Sequence, residues 1–285
     1  LASLAATIAV PMIIKNGMQP SAALFGAGVG TLVYLLFTKF RSPVFLGSSF
    51  AFLGSMSAAF AGAMGSMALG YLGLILGAVF AGLVYVIIAL IVKFVGTNWI
   101  DKIMPAVVIG PTVAIIGLSL SGNAIGDLTN GMFADGSSYV SIVCGLVTLG
   151  VTIACSVFGK KMLKMIPFII GILAGYALAA IFTGFSYIDG APAALRVIDF
   201  GTFSTLGQAS AWYPDFSFLT AFNIHGGGYG DANIGAYIGT IAVAYIPVAF
   251  VVFAEHIADH KNISSIIETD LLKDPGLHRT LLGDG

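Results

Sequence analysis

The sequence predicts an all-α polytopic membrane protein, and three observations carry that prediction. Of the 285 residues, 58% are hydrophobic and only 9% are charged, against about 25% charged in an ordinary globular chain. The mean hydropathy is +1.00. The charge-free runs are of helix length and do not alternate polar with apolar, as barrel strands of about ten residues would. This composition excludes a soluble enzyme, a coiled coil and a disordered chain. A formal net charge of -1 leaves no basic excess for nucleic acid. Two cysteines, Cys144 and Cys155, make no disulfide framework and read as helix core.

Crossing the hydrocarbon core as a helix takes about 20 apolar residues. The charge-free runs are 16–38, 42–92, 103–126, 136–159, 165–188 and 232–254. The second is 51 residues long, enough for two crossings, with a small-residue break near Ala61–Gly65. Seven full crossings are therefore expected. Leu1–Ile14 is apolar but lacks a basic flank, so it reads as the later part of a helix and not as a signal peptide. The whole reads as an internal fragment of a longer transporter or channel.

Seven basic residues fall in three alternate loops: Lys39 and Arg41, then Lys93 and Lys102, then Lys160, Lys161 and Lys164. The intervening loops carry no charge, or Asp127 and Asp135, or the mostly acidic stretch of about 189–231. The positive-inside rule places the basic loops in the cytoplasm. Four Gly-x-x-x-Gly patterns, at 26–30, 73–77, 171–175 and 235–239, let helix backbones approach closely. They indicate a bundle and say little about activity.

Two segments are irregular. Phe45-Leu-Gly-Ser-Ser-Phe-Ala-Phe-Leu-Gly54 weakens a continuous helix with two Gly, two Ser and three Phe. Unwound backbone at membrane depth is tolerated where it is buried or lines a cavity, and broken segments point to a transporter site. The bland alternative is a packing face on an intact helix. The second is Phe253-Ala-Glu-His-Ile-Ala-Asp-His-Lys-Asn262. There Glu255, Asp259 and Asn262 share one helical face, with His256 and His260 on the adjacent stripe. An ionisable group inside a span is a functional hypothesis. The alternative is that the span ends at Ala254 and these groups sit among headgroups. A metal held by His256, His260 and a carboxylate is a third reading, although the order is not H-E-x-x-H. His225-Gly-Gly-Gly228 has the form of an esterase oxyanion loop, but no G-x-S-x-G accompanies it. No Walker A pattern supports an ATP-driven pump.

Three stretches carry a family likeness: Leu46-Gly-Ser-Ser-Phe-Ala-Phe52, Ala254-Glu-His-Ile-Ala-Asp259, and Asp270-Leu-Leu-Lys-Asp-Pro-Gly-Leu-His-Arg-Thr-Leu-Leu-Gly-Asp-Gly285. On them the sequence resembles the nucleobase–ascorbate (nucleobase–cation symporter 2) transporter family, its bacterial uracil permease branch in particular. The resemblance implies fourteen segments in two inverted repeats of seven, with a core and a gate domain and a half-unwound third segment. It divides the chain into 1–95 (core, partial segment one to segment four), 96–188 (gate, segments five to seven), 189–231 (extracellular loop) and 232–285 (core segment eight and a following amphipathic stretch). It implies a multi-pass protein of the cell inner membrane, driven by the proton gradient, with no catalytic residue, cofactor or metal. Its partners would be a nucleobase, the bilayer and, as an open question, a second copy in a homodimer. Glu255, Phe50 and Ser49 would bind the base, and Asp259 and His260 are the candidates for proton coupling. Asp259 stands where the uracil branch carries histidine, so a xanthine or urate carrier is the alternative. An ion channel or a non-transporting scaffold is the alternative of another class.

Overall fold

A computed structural model describes every residue except 1, 130–136, 161, 189, 208–212, 223–228 and 230–232. Lys161, Asp135, Asp189, Asp231 and the His225–Gly228 motif therefore lie outside the described residues. The helices are α1 (Ala2–Ile14), α2 (Pro20–Phe37), α3 (Leu53–Gly62), α4 (Met67–Val95), α5 (Ile100–Ile103), α6 (Ala106–Ser119), α7 (Ser121–Thr129), α8 (Ser138–Phe158), α9 (Met162–Met165), α10 (Pro167–Phe185), α11 (Ile234–Ile267) and α12 (Leu277–Asp284). Among the described residues six helices are long and apolar enough to cross a membrane: Pro20–Phe37, Met67–Val95, Val107–Thr129, Ser138–Phe158, Pro167–Phe185 and Ile234–Ile267. The described chain is thus an all-helical, multi-pass membrane protein.

The expected count of seven full crossings needs correction at the third. Residues 41–49 form no helix. A 3-10 turn, Phe50–Phe52, then leads into the short α3. The Gly-Ser-Ser run supplies no side chain bulk to favour a helix, and its hydroxyls compete for backbone groups. The break before α4 falls as expected. Met64 and Gly65 both have positive φ, 50° and 84°, and the Ser66 side chain caps α4 by accepting from Leu69 N–H at 3.2 Å. Of the two readings of the eighth segment, the structure continues the helix: α11 runs past Ala254 to Ile267.

The chain clusters into two compact units. In the unit of residues 118–213, α8 packs along α10. Gly171 and Gly175 face Thr152 and Thr148, whose hydroxyls occupy the space a Cβ would need. Both threonines give their hydroxyl hydrogens back to α8, to Thr148 O and Cys144 O, so the close approach leaves no donor unmet.

In the unit of residues 3–117 and 214–285, α4 is the hub. It packs against α3, α11 and α12. Tyr237 and Tyr245 of α11 lie over Gly73 and Gly77 of α4. The Tyr237 hydroxyl is shared between Ala59 O at 2.8 Å and Leu69 O at 3.1 Å. Ile241, between the two tyrosines, is fully buried. Pro247 interrupts the ladder of α11. The Ser55 hydroxyl of α3 donates to the neighbouring Ala244 carbonyl at 2.7 Å. The carbonyl that loses its helical donor to Pro247 is that of Val243, and the Ser55 contact falls on the next one along. The other two glycine patterns behave differently: Gly26, Gly28, Gly30 and Gly239 have nothing within reach of a Cβ among the described residues.

Candidate functional site

The unwound stretch before Phe50 is held by three hydroxyls from two helices. Such backbone needs partners wherever it leaves water. Leu46 N–H donates to Thr31 Oγ1 of α2 at 3.0 Å. Ser48 N–H donates to Thr7 Oγ1 of α1 at 3.2 Å. Ser42 Oγ lies 2.8 Å from the Tyr34 hydroxyl of α2. Thr7, Tyr34 and Ser42 are all fully buried.

The stretch ends on α11. The Ser49 hydroxyl donates to Glu255 Oε2 at 2.8 Å. The same Ser49 oxygen accepts from Ala51 N–H at 3.2 Å and so caps the 3-10 turn that Phe50 opens. Three residues chosen from the sequence, Ser49, Phe50 and Glu255, are therefore brought to one place across 206 positions of chain. Glu255 is half-buried. Among the described residues no hydrogen bond is made by the Phe50 N–H. The arrangement offers a carboxylate acceptor with one oxygen engaged and a backbone donor beside it. A planar ring carrying both N–H and C=O groups matches that pair.

Asp259, one turn further along α11, is exposed, unlike Glu255. The structure puts His260 elsewhere: it is 2% exposed and faces α2. Its Nδ1 donates to His256 O at 2.8 Å, and its Nε2 lies 2.9 Å from the Tyr34 hydroxyl. Both ring nitrogens of His260 are thereby occupied. His256 turns to α12, meeting Asp284 and Thr280. The sequence singled out neither Tyr34 nor Thr7, and it marked Thr280 and Asp284 only as part of the 270–285 stretch, with no role. Hydroxyl residues inside otherwise apolar runs, as at Thr31 and Tyr34, were the available signal.

Beside the site lies a cavity of about 320 Å³ between α3, α4, α11 and α12. Its lining includes Phe52, Met56, Tyr85, Tyr245 and Asp284, and does not include Glu255 or Ser49. Phe52 and Tyr245 stack across its edge with ring centroids 5.6 Å apart.

A multi-pass membrane protein with one apolar stretch helical only in its second half, and with a half-buried carboxylate on the helix that meets the unwound half, has the broken-segment pattern found in membrane carriers. A family model named Xan_ur_permease and described as "Permease family" matches residues 1–285. The chain belongs to this family, the nucleobase–ascorbate transporter family its motifs resemble. It is similar to the uracil permease of Bacillus caldolyticus, 38% identical over 282 residues. It is 36% identical to the uracil permease of Bacillus subtilis (strain 168) over 286 residues, and 32% identical to that of Escherichia coli (strain K12) over 282. These alignments cover 98% of the chain, which spans 56–57% of the length of those relatives.

Proposed function

We propose that the full protein is a proton-coupled symporter that imports a nucleobase, uracil foremost, across the bacterial cell inner membrane. The observation that carries this reading is the Ser49–Glu255 hydrogen bond at the break in the third segment. An ionised carboxylate only accepts, and a pyrimidine imide offers ring N–H donors. In this reading Glu255 accepts from the ring, the Phe50 N–H donates to a ring carbonyl, and Ser49 holds the carboxylate between them. The names of the similar permeases support uracil as the cargo. The driving force is the proton gradient, with no cofactor. A core domain, containing 1–95 and 232–285, carries the base past a gate domain that contains 96–188.

Asp259 supports a second reading, a xanthine or urate carrier, because it replaces the histidine of the uracil branch. Counterflow in vesicles holding the full-length protein tests both. Labelled uracil should exchange against internal uracil and not against xanthine. Exchange driven by xanthine alone moves the protein to the purine branch, and flux without counterflow makes it a channel. Asp259→Asn is expected to flatten the pH dependence of uptake while leaving equilibrium binding within a few-fold of the parent, about 1 kcal/mol or less; an unchanged pH profile removes Asp259 from coupling.

The basic loops are cytoplasmic in this scheme. A cysteine introduced beside Lys164 should resist an impermeant thiol reagent added outside sealed cells and react once the membrane is opened. Labelling from outside would invert the topology.

A further inference from the structure

The loop before α11 holds an element that the binding scheme does not use. Residues 216–222, Phe-Ser-Phe-Leu-Thr-Ala-Phe, carry no charge. Ser217–Phe222 is a 3-10 turn, closed on Phe216 by the Leu219 N–H, which donates to Phe216 O at 2.9 Å. Side chains three apart eclipse one another in such a turn. Three stripes result, each with its own composition. Phe218 and Ala221 form the first, and Ala221 is fully buried in a turn that packs along α4. The Ala221 carbonyl accepts from the Tyr229 hydroxyl, and Tyr229 packs on the core shared by α3, α4 and α11. Ser217 and Thr220 form the second stripe, which is polar. Phe216, Leu219 and Phe222 form the third, with Leu219 56% and Phe222 58% exposed.

The third stripe continues the apolar face of a membrane-crossing helix. Phe25, Val29, Leu32 and Leu36 of α2 are exposed and share one face at i, i+4, i+7 and i+11. Phe25, in the second turn of α2, meets Phe216 edge-on with ring centroids 5.4 Å apart, and Phe216 meets Phe218 at 5.9 Å. These contacts lie toward the end of α2 opposite Lys39 and Arg41. An exposed apolar patch marks a protein or a membrane contact, and continuity with the α2 face favours the membrane. The turn has no route to the hydrocarbon centre, because irregular backbone there would leave polar groups without partners. The boundary of headgroups and acyl chains, about 5–10 Å deep, accepts apolar side chains while water still reaches the backbone. No Lys or Arg lies between Arg196 and Lys261, so attraction to anionic headgroups contributes nothing here.

We propose that 216–222 is an interfacial anchor: it seats Leu219 and Phe222 in the headgroup–acyl boundary of the outer leaflet and binds neutral lipid by apolar contact alone. Ala221 faces α4, the Leu219–Phe222 stripe faces lipid, and Thr220 faces water. The choice of leaflet rests on the orientation proposed above, which the cysteine beside Lys164 tests separately.

Spin labels on Leu219→Cys, Thr220→Cys and Phe222→Cys test the anchor, each in the full-length protein with its native cysteines replaced and in phosphatidylcholine vesicles. Oxygen, which partitions into lipid, should relax the labels at 219 and 222 severalfold more than a water-soluble nickel complex does. At 220 the order should reverse. Adding phosphatidylglycerol should leave these ratios unchanged. Nickel prevailing at 219 and 222 puts the turn in water and overturns the proposal. Low access to both reagents puts it under protein, another segment or a second copy, and also overturns it. Seating that requires phosphatidylglycerol overturns binding by apolar contact alone. A second measurement needs no variant to fold: a phosphatidylcholine with a diazirine near its headgroup should label the 216–222 peptide of the unaltered protein, and a peptide left unlabelled beside labelled helices overturns the proposal. Neither measurement uses uracil, so the anchor and the substrate assignment fail independently.

Discussion

Glu255→Gln in the full-length protein is expected to lower uracil affinity roughly tenfold to a hundredfold, about 1.5–3 kcal/mol. Gln keeps the size of the side chain and one acceptor oxygen. It loses the charge that makes a hydrogen bond roughly twice as strong as a neutral one. It also brings an NH2 group that has to go somewhere. Ser49 now donates to Glu255 Oε2, and an amide nitrogen turned toward Ser49 would meet the Ser49 oxygen already used by Ala51 N–H. Equilibrium binding of uracil measures the effect. His260→Ala is the control, because His260 meets Tyr34 and neither Glu255 nor Ser49. It should act on stability, by leaving the fully buried Tyr34 hydroxyl one partner short, and spare affinity. A Glu255→Gln protein that binds uracil like the parent removes Glu255 from the site.

The second large effect is on folding. Gly77→Leu is expected to destabilise the bundle by about 1–3 kcal/mol, the usual range for overpacking a filled core. A Cβ at Gly77 would already clash with the carbons of the Tyr245 ring, before any of the larger side chain is added. The ring has little freedom to leave, because it also stacks on Phe52. Thermal unfolding in detergent reads the loss. Tyr245→Ala placed on Gly77→Leu should recover part of it, since the clash belongs to the pair. Two strictly additive losses would show that the helices do not meet at these residues.

Much of this architecture was legible in the chain, and the reasons are physical. Hydrocarbon tolerates neither charge nor unpaired backbone, so long charge-free runs have one outcome, a helix. That constraint located each of the six long helices and the break before α4. It misjudged the third crossing because length and apolarity do not distinguish a helix from extended backbone held by outside hydroxyls. The partners that permit 41–49 to unwind are Thr7, Thr31 and Tyr34, on two other helices. The glycine patterns make the same point. Four look alike in sequence, yet only 73–77 and 171–175 are met by a partner side chain from another helix among the described residues. Whether a glycine stripe is a contact depends on what stands opposite.

The sequence by itself determined the class, the family and the three residues around the break. Glu255 stood out because an ionisable group in an apolar helix is costly, and Ser49 and Phe50 because Gly-Ser-Ser interrupts a helix. Only the tertiary structure decided what each ionisable residue of Glu255–His260 does. Helical periodicity put Glu255 with Asp259 and His256 with His260, and it could not say which face meets protein. Packing turned Glu255 to Ser49, left Asp259 exposed, gave His260 to Tyr34 and gave His256 to Asp284 on α12. Those partners lie 206, 226 and 28 positions away. A side chain's chemistry inside a bundle is set by the group it faces, and no local pattern carries that information.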